Sequence, residues 1–142
     1  MNQFTYPVTL IPDEVDGGFT VIFRDVPEAI TQGDTIEECL TEAADCIEEA
    51  IAGRIRRSDE LPVSSKCKTG EKMVPVPMQT AMKAALYQAM KETGISKSEL
   101  ARKMGTHEKM VRRILDPHHG TKLPTMERTL FALGKHAELH VT

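Results

Sequence analysis

The sequence predicts an α+β chain in two parts: a β-β-β-α-β domain over residues 1–76 and an all-α domain with a terminal strand over residues 77–142. Three observations carry that division. Short β-rich stretches separated by Gly and Pro fill the first part, while from Met78 onward apolar residues recur at helical steps. A polar stretch without periodicity, residues 58–70, precedes the change of pattern. Charge divides the same way. Residues 1–75 carry 7 Lys/Arg against 15 Asp/Glu, a net of −8, whereas residues 76–142 carry 11 against 6, a net of +5. A chain of 142 residues accommodates two small domains, and charge split in this manner points to two surfaces with different partners.

The elements follow in order. Phe4–Ile11, rich in Tyr, Val, Thr and Ile, reads as a strand. Pro12–Gly18 brings acidic residues and Gly17-Gly18, the chemistry of a hairpin turn. Phe19–Phe23 is a second strand with Phe19, Val21 and Phe23 on one face, ended by Val26-Pro27. A short third strand, Ala29–Thr31, pairs with the second. Asp34 then caps a helix, with Glu37 in the capping-box position. Ile36, Leu40, Ala43, Ile47 and Ile51 form its apolar stripe, and Glu38, Glu42, Asp45, Glu48 and Glu49 its solvent face. Gly53 ends the helix, and Arg54, Arg56 and Arg57 complement its C-terminus. After the 58–70 connector, Lys72–Val76 is a fourth strand closed by Pro75 and Pro77.

The second part is helical. Met82, Leu86 and Met90 face inward on its first helix, which Gly94 stops. Residues 95–115 then read as two helices joined by a tight turn. Ser96 is the N-cap, Glu99 reaches back to its N–H, and Ile95 and Leu100 close a hydrophobic staple. Gly105 supplies the sharp stop. On the following helix Val111 and Ile114 face inward, leaving Lys109, Arg112 and Arg113 outside. Such a pair is a helix-turn-helix, whose second helix fits the major groove of B-DNA. Set against the repressor-type helix-turn-helix that the pair resembles, His107, Glu108, Lys109, Arg112 and Arg113 would face the groove, and Lys97 and Lys122 would meet phosphates. A loop over 116–124 leads to a last helix, Thr125–Leu133, ended by Gly134. The tail, Ala137–Val141, alternates apolar and polar residues like a strand. Lacking a neighbour in a helical domain, it would pair with a second copy, with Leu139 and Val141 as the dimer contacts.

Several classes are excluded. No apolar run reaches the length of a membrane span, and residues 1–14 lack the regions of a signal peptide, so a cytosolic protein is expected. Three cysteines, an odd number, fit a reducing compartment. Cys39 and Cys46 share a helix face, Cys67 lies in the connector, and no CxxC pair is present. These are structural thiols. His118 and His119 are loop or phosphate-contact residues, and neither a metal nor a cofactor is expected.

These two halves in this order resemble the HicB family of antitoxins over essentially the whole chain. The resemblance rests on Tyr6-Pro7-Val8-Thr9-Leu10, Gly17-Gly18-Phe19, Asp25-Val26-Pro27, and Thr31-Gln32-Gly33-Asp34-Thr35 running into Glu37-Glu38. The C-terminal half is similar to the repressor-type helix-turn-helix that some members carry in place of a ribbon-helix-helix. Leu100-Ala101, Gly105, Val111, Ile114 and the loop His118-His119-Gly120-Thr121-Lys122 carry that likeness. His107 departs from it where Ser or Thr is the usual cap, and Lys97 departs where Gln usually meets a phosphate.

The resemblance implies a partial RNase H-like N-terminal fold and a HicA toxin partner, a basic RNA-cleaving protein shaped like a double-stranded-RNA-binding domain. It also implies operator DNA as a second partner. Phe19, Val21, Phe23 and Asp25 are the expected close toxin contacts, with Glu38, Glu42 and Glu49 steering the encounter. An RNase H-like nuclease needs convergent carboxylates. Here Asp13, Glu14 and Asp16 fall in a turn, Asp25 at a strand end and the helix acids on a solvent face, so the chain is not expected to be an enzyme. The competing function is a plain dimeric repressor whose N-terminal domain dimerises or senses a ligand.

Overall fold

A computed structural model of the chain describes residues 3–142; Met1 and Asn2, the start of the expected N-terminal domain, lie outside the described residues. The chain divides into two compact units, Met1–Ala81 and Met82–Thr142.

In the first unit, strands β1 (Thr5–Pro12), β2 (Phe19–Phe23), β3 (Ile30–Gly33) and β4 (Lys72–Pro75) form an antiparallel sheet in the order β3-β2-β1-β4. The register sets Val8 opposite Phe23, Leu10 opposite Val21 and Tyr6 opposite Val74. Side chains alternate along a strand, so these six share one face. Helix α1 (Ile36–Arg56) covers that face with Cys39, Ala43, Ile47, Ile51, Ala52 and Ile55, which are all buried. The reverse face carries Thr9 opposite Ile22, Ile11 opposite Thr20, and Ile22 opposite Ile30. It is exposed at Ile11 (45%), Ile30 (61%) and Met73 (37%), whereas Pro7 opposite Met73 is buried.

The helix starts one residue later than its sequence signals indicate. Strand β3 runs on to Gly33, so the cap falls to Thr35, whose Oγ1 accepts from the Glu38 N–H at 3.1 Å. The Glu38 carboxylate in turn accepts from the Asp34 N–H at 3.4 Å. Gly33 sits where this first turn crosses the sheet edge. A Cβ there would lie 2.9 Å from both the backbone N and the Sγ of Cys39, so only glycine allows the approach. The buried stripe is rotated accordingly, with Cys39 inside, Leu40 half-buried and Ile36 exposed. Nor does Gly53 end the helix. It continues to Arg56 because Ile55 buries one further side chain.

The connector has no regular structure, yet it is pinned to the sheet. The Tyr6 hydroxyl donates to Pro62 O at 2.8 Å, and burial pushes its pKa up to about 12. Ser64 Oγ donates to Thr5 O. Asp25 accepts from both the N–H and the hydroxyl of Ser65 at 2.7 Å, and Arg24 spans Lys66 O and the Glu71 carboxylate. Helix α2 (Met78–Thr93) begins in this unit, where the buried Thr80 donates to Glu48 Oε2 at 3.0 Å.

The second unit contains the rest of α2, then α3 (Lys97–Met104), α4 (Glu108–Leu115) and α5 (Leu123–Ala132). Met82, Leu86, Leu100, Val111, Ile114, Met126 and Leu130 close one core, so the inward residues read from helical spacing are where they were expected. α5 starts earlier than Thr125, because Pro124 in its first turn lacks only an N–H that the helix leaves unbonded in any case. The terminal strand expected to pair with a second copy is not formed in the single chain, where residues 135–142 adopt no regular structure. A strand needs a ladder for its N–H and C=O groups, and no described strand of this chain lies beside the tail.

Candidate nucleic-acid and partner interfaces

The α3–α4 pair is built by local signals. Ser96 Oγ accepts from the Glu99 N–H at 3.1 Å, while the Glu99 carboxylate takes the Ser96 hydroxyl at 3.2 Å instead of reaching its backbone N–H. Gly105 closes α3 in the left-handed region, φ +69°, where an L side chain would cost about 1–2 kcal/mol. His107 then performs the capping that Ser or Thr usually supplies, its Nδ1 accepting from the Met110 N–H at 3.2 Å.

On α4, Val111 and Ile114 are buried, and Lys109, Arg112 and Arg113 are exposed. Lys97 and Lys122 are exposed as well. Glu108, expected at the groove, has its carboxylate engaged within the helix pair. Its carboxylate accepts from Ser98 Oγ at 2.9 Å and from Arg112 Nη2 at 2.6 Å, so it bridges α3 to α4 and offsets one cation. The Ser98 hydrogen bond, then the Arg112 charge, hold its pKa below the usual carboxylate range. The net effect is a basic outer face in which Lys109 and Arg113 are the exposed cations of α4 outside that ion pair.

Sequence reasoning missed Lys83. It is completely buried, and its Nζ donates to Arg113 O at 3.2 Å, Ile114 O at 2.5 Å and Thr121 Oγ1 at 2.6 Å. The signal was present: Lys83, Leu86 and Met90 follow a helical spacing, which puts a lysine within the apolar stripe.

The expected toxin contacts of the first unit do not form one surface. Val21 and Phe23 lie 0% and 2% exposed beneath α1, Phe19 is half-buried on that same face, and the Asp25 carboxylate is taken up by Ser65. Val21, Phe23 and Asp25 are therefore corrected from contacts to framework. A one-residue step along a strand exchanges faces, so Thr20 and Ile22 are the β2 residues on the open side. Glu38, Glu42 and Glu49 are exposed on α1, on the other side of the sheet. Of the cysteines, Cys39 is buried, Cys46 half-buried and Cys67 exposed. Among the described residues no three of His, Cys, Asp and Glu are placed to hold a metal ion, and no helix is long and apolar enough to cross a membrane.

The first unit's strands and helix coincide with a known family. Residues 5–85 match the model for the HicB-like antitoxin of bacterial toxin-antitoxin systems. The chain is 42% identical to Antitoxin HicB 2 of Photorhabdus laumondii, over 97% of this chain and 96% of that protein. It is 34% identical to Antitoxin HicB of Escherichia coli K12, over 94% and 96%. The chain belongs to the HicB-like antitoxin family. In this HicB-like chain the family match covers the sheet, α1 and the start of α2. Helices α3 to α5 lie beyond the matched residues, but the alignment to the relatives, which includes 32% identity to Antitoxin HicB of Pseudomonas fluorescens over 90% of this chain, is long enough to include them.

Proposed function

We propose that this HicB-like chain neutralises a basic, RNA-cleaving HicA toxin through its first unit and represses its own operon through α3 and α4 of the second. The observation that carries this is the division of charge along the units, −8 in residues 1–75 and +5 in residues 76–142, on a chain of an antitoxin family. A toxin that holds RNA phosphates presents cations, and an acidic partner accelerates the encounter and competes for the same surface.

The close toxin contact is the open sheet face, with Ile11, Thr20, Ile22, Ile30 and Met73 as its residues. An apolar sheet face left open to water gains from a partner that covers it. Glu38, Glu42 and Glu49 contribute to steering, each exposed charge adding little on its own. Neutralisation is occlusion and involves no chemistry by this chain. The protein acts in the cytoplasm, where both an operator and an RNA-cleaving toxin are found.

For DNA, α4 enters the major groove with Lys109 and Arg113 toward base edges, Arg112 beside them, and His107 at the helix N-terminus. Lys97 and Lys122 anchor phosphates. Two half-sites require a dimer. Phe131 on α5 is 81% exposed, and Leu139 and Val141 project from the tail, so a second copy covers these apolar groups and gives the tail its missing ladder. Two experiments test the assignment together: titration of the toxin's RNA cleavage with this protein, and gel shift on the DNA upstream of its own gene. Protection at one chain per toxin with specific gel-shift binding supports both functions. DNA binding without protection leaves a plain repressor.

A further inference from the structure

Lys83 is absent from every role described so far, yet it is the most heavily engaged buried cation of the second unit. The four last carbonyls of an α-helix have no partner within it. At the C-terminus of α4 two of them, Arg113 O and Ile114 O, meet the Lys83 ammonium, and the third donor goes to Thr121 Oγ1 in the loop that follows. An ammonium has three donors, so all three are used. Within the loop from Asp116 to Lys122, Asp116 Oδ1 accepts from the His118 N–H, and Thr121 Oγ1 donates to His119 O at 3.4 Å. Lys83 thus ties the end of α4 and the loop carrying Lys122 to helix α2.

We propose that Lys83 is a positioning residue for DNA recognition: its buried ammonium fixes the C-terminal end of α4 and the 116–122 loop to α2, so that Arg113 and Lys122 meet one operator together. The proposal rests on the DNA-binding assignment of α4. Lys83 touches no DNA itself. It acts because a charge-assisted hydrogen bond in a dry site is strong and directional, and because a misplaced groove contact loses its discrimination.

The proton on Lys83 makes the proposal testable without mutation. Burial pushes its pKa down to about 8, against a raising influence from the Asp116 carboxylate, the charged group that faces it from the α4 C-cap. Arg113 presents its carbonyl to Lys83, and Thr121 presents its hydroxyl. Above that pH the amine keeps two donors for three acceptors and loses its charge. Stability moves the other way. Because the folded pKa lies below the unfolded 10.5, the unfolded chain binds more protons between about pH 8 and 10.5, so stability from this group rises with pH across that window. A merely structural lysine would not weaken DNA binding while the fold holds firm.

The test is operator affinity of the full-length protein from pH 7 to 9.5 at constant salt, alongside thermal melts, for wild type, Lys83→Met, Thr121→Val and the double variant Lys109→Ala/Arg113→Ala. Wild-type affinity is expected to fall about tenfold as pH passes 8 with no drop in melting temperature. Thr121→Val, which removes the loop acceptor of Lys83 together with the Thr121–His119 bond, loses affinity several-fold at pH 7 while folding normally, and Lys83→Met, if folded, is weak at all pH values and shows no pH dependence. A flat wild-type profile, or Thr121→Val binding as tightly as wild type while the double variant is impaired, overturns the role of Lys83 and leaves α4 as the groove helix. Unimpaired binding by the double variant removes the groove assignment itself, and the positioning role with it.

Discussion

Replacing both Lys109 and Arg113 by alanine removes the two exposed cations of α4 that lie outside the Glu108–Arg112 pair. Both side chains point away from the core that Val111 and Ile114 close, so neither change opens a cavity. Surface substitutions of this kind alter stability by no more than about 0.5 kcal/mol. Their effect on DNA is larger. A well-placed basic side chain on a base edge is worth roughly 1–3 kcal/mol of discrimination, so one such contact gives about 5- to 150-fold. If both instead meet phosphates, the slope of log affinity against log salt becomes shallower by about 1.8, since each neutralised phosphate contributes roughly 0.9. Arg112→Ala is expected to have the smaller effect, because Arg112 is already paired at 2.6 Å. Gel shifts at several salt concentrations on operator and on unrelated duplex separate base from phosphate contacts, and a thermal melt checks the fold. A melting temperature and a gel-shift profile both equal to wild type would refute the assignment of α4 to the groove.

Val111→Asp sets a charge in the same core, losing about 1.5–3 kcal/mol of burial plus several more for an unpaired carboxylate, and the second unit is expected to unfold by circular dichroism. Deleting Glu138–Thr142 is expected to give monomers by light scattering and to weaken operator binding; a dimer that persists would relocate the interface. Glu71 is held down to about 2, chiefly by the Arg24 hydrogen bond, so the stabilisation from this group is present above the ordinary 4.5 and is lost as pH falls from 4.5 toward 2. Amide protection factors in residues 64–68, corrected for the intrinsic rate, are expected to fall across that range, and those of Glu71→Gln to be low already at neutral pH.

Patterns that depend on near neighbours were legible in the sequence. The three-residue spacing of Val111 and Ile114, the cap at Ser96 and the turn at Gly105 were found from residue type and spacing alone. The period-2 pattern placed β2 without error at both ends. Features decided by tertiary contact were not legible. Phe19, Val21 and Phe23 could be assigned to one face, but whether α1 covers that face or the other depends on the crossover, and the wrong choice exchanged core for contact. Asp34 and Thr35 are both good caps, and only the length of β3 decides between them. Gly53 reads as a stop unless Ile55 has a pocket to fill. The connector looked featureless because its partners, Thr5, Tyr6, Arg24 and Asp25, lie 40 or more residues away. The tail's alternation is real, but a strand is a property of a pair, and one chain offers it no partner.

The two proposed activities reside on separate surfaces, the open sheet face for the toxin and α4 for DNA. This separation is tested most directly by titrating RNA cleavage by the toxin with two full-length variants. Ile11→Lys/Ile30→Lys places cations on the open face, where both side chains are exposed and the fold tolerates them. Lys109→Ala/Arg113→Ala alters α4 alone. The sheet variant is expected to lose protection by at least about tenfold, equivalent to about 1.4 kcal/mol, while the α4 variant protects as well as wild type. Full protection by the sheet variant, with its fold intact by circular dichroism, would contradict this separation.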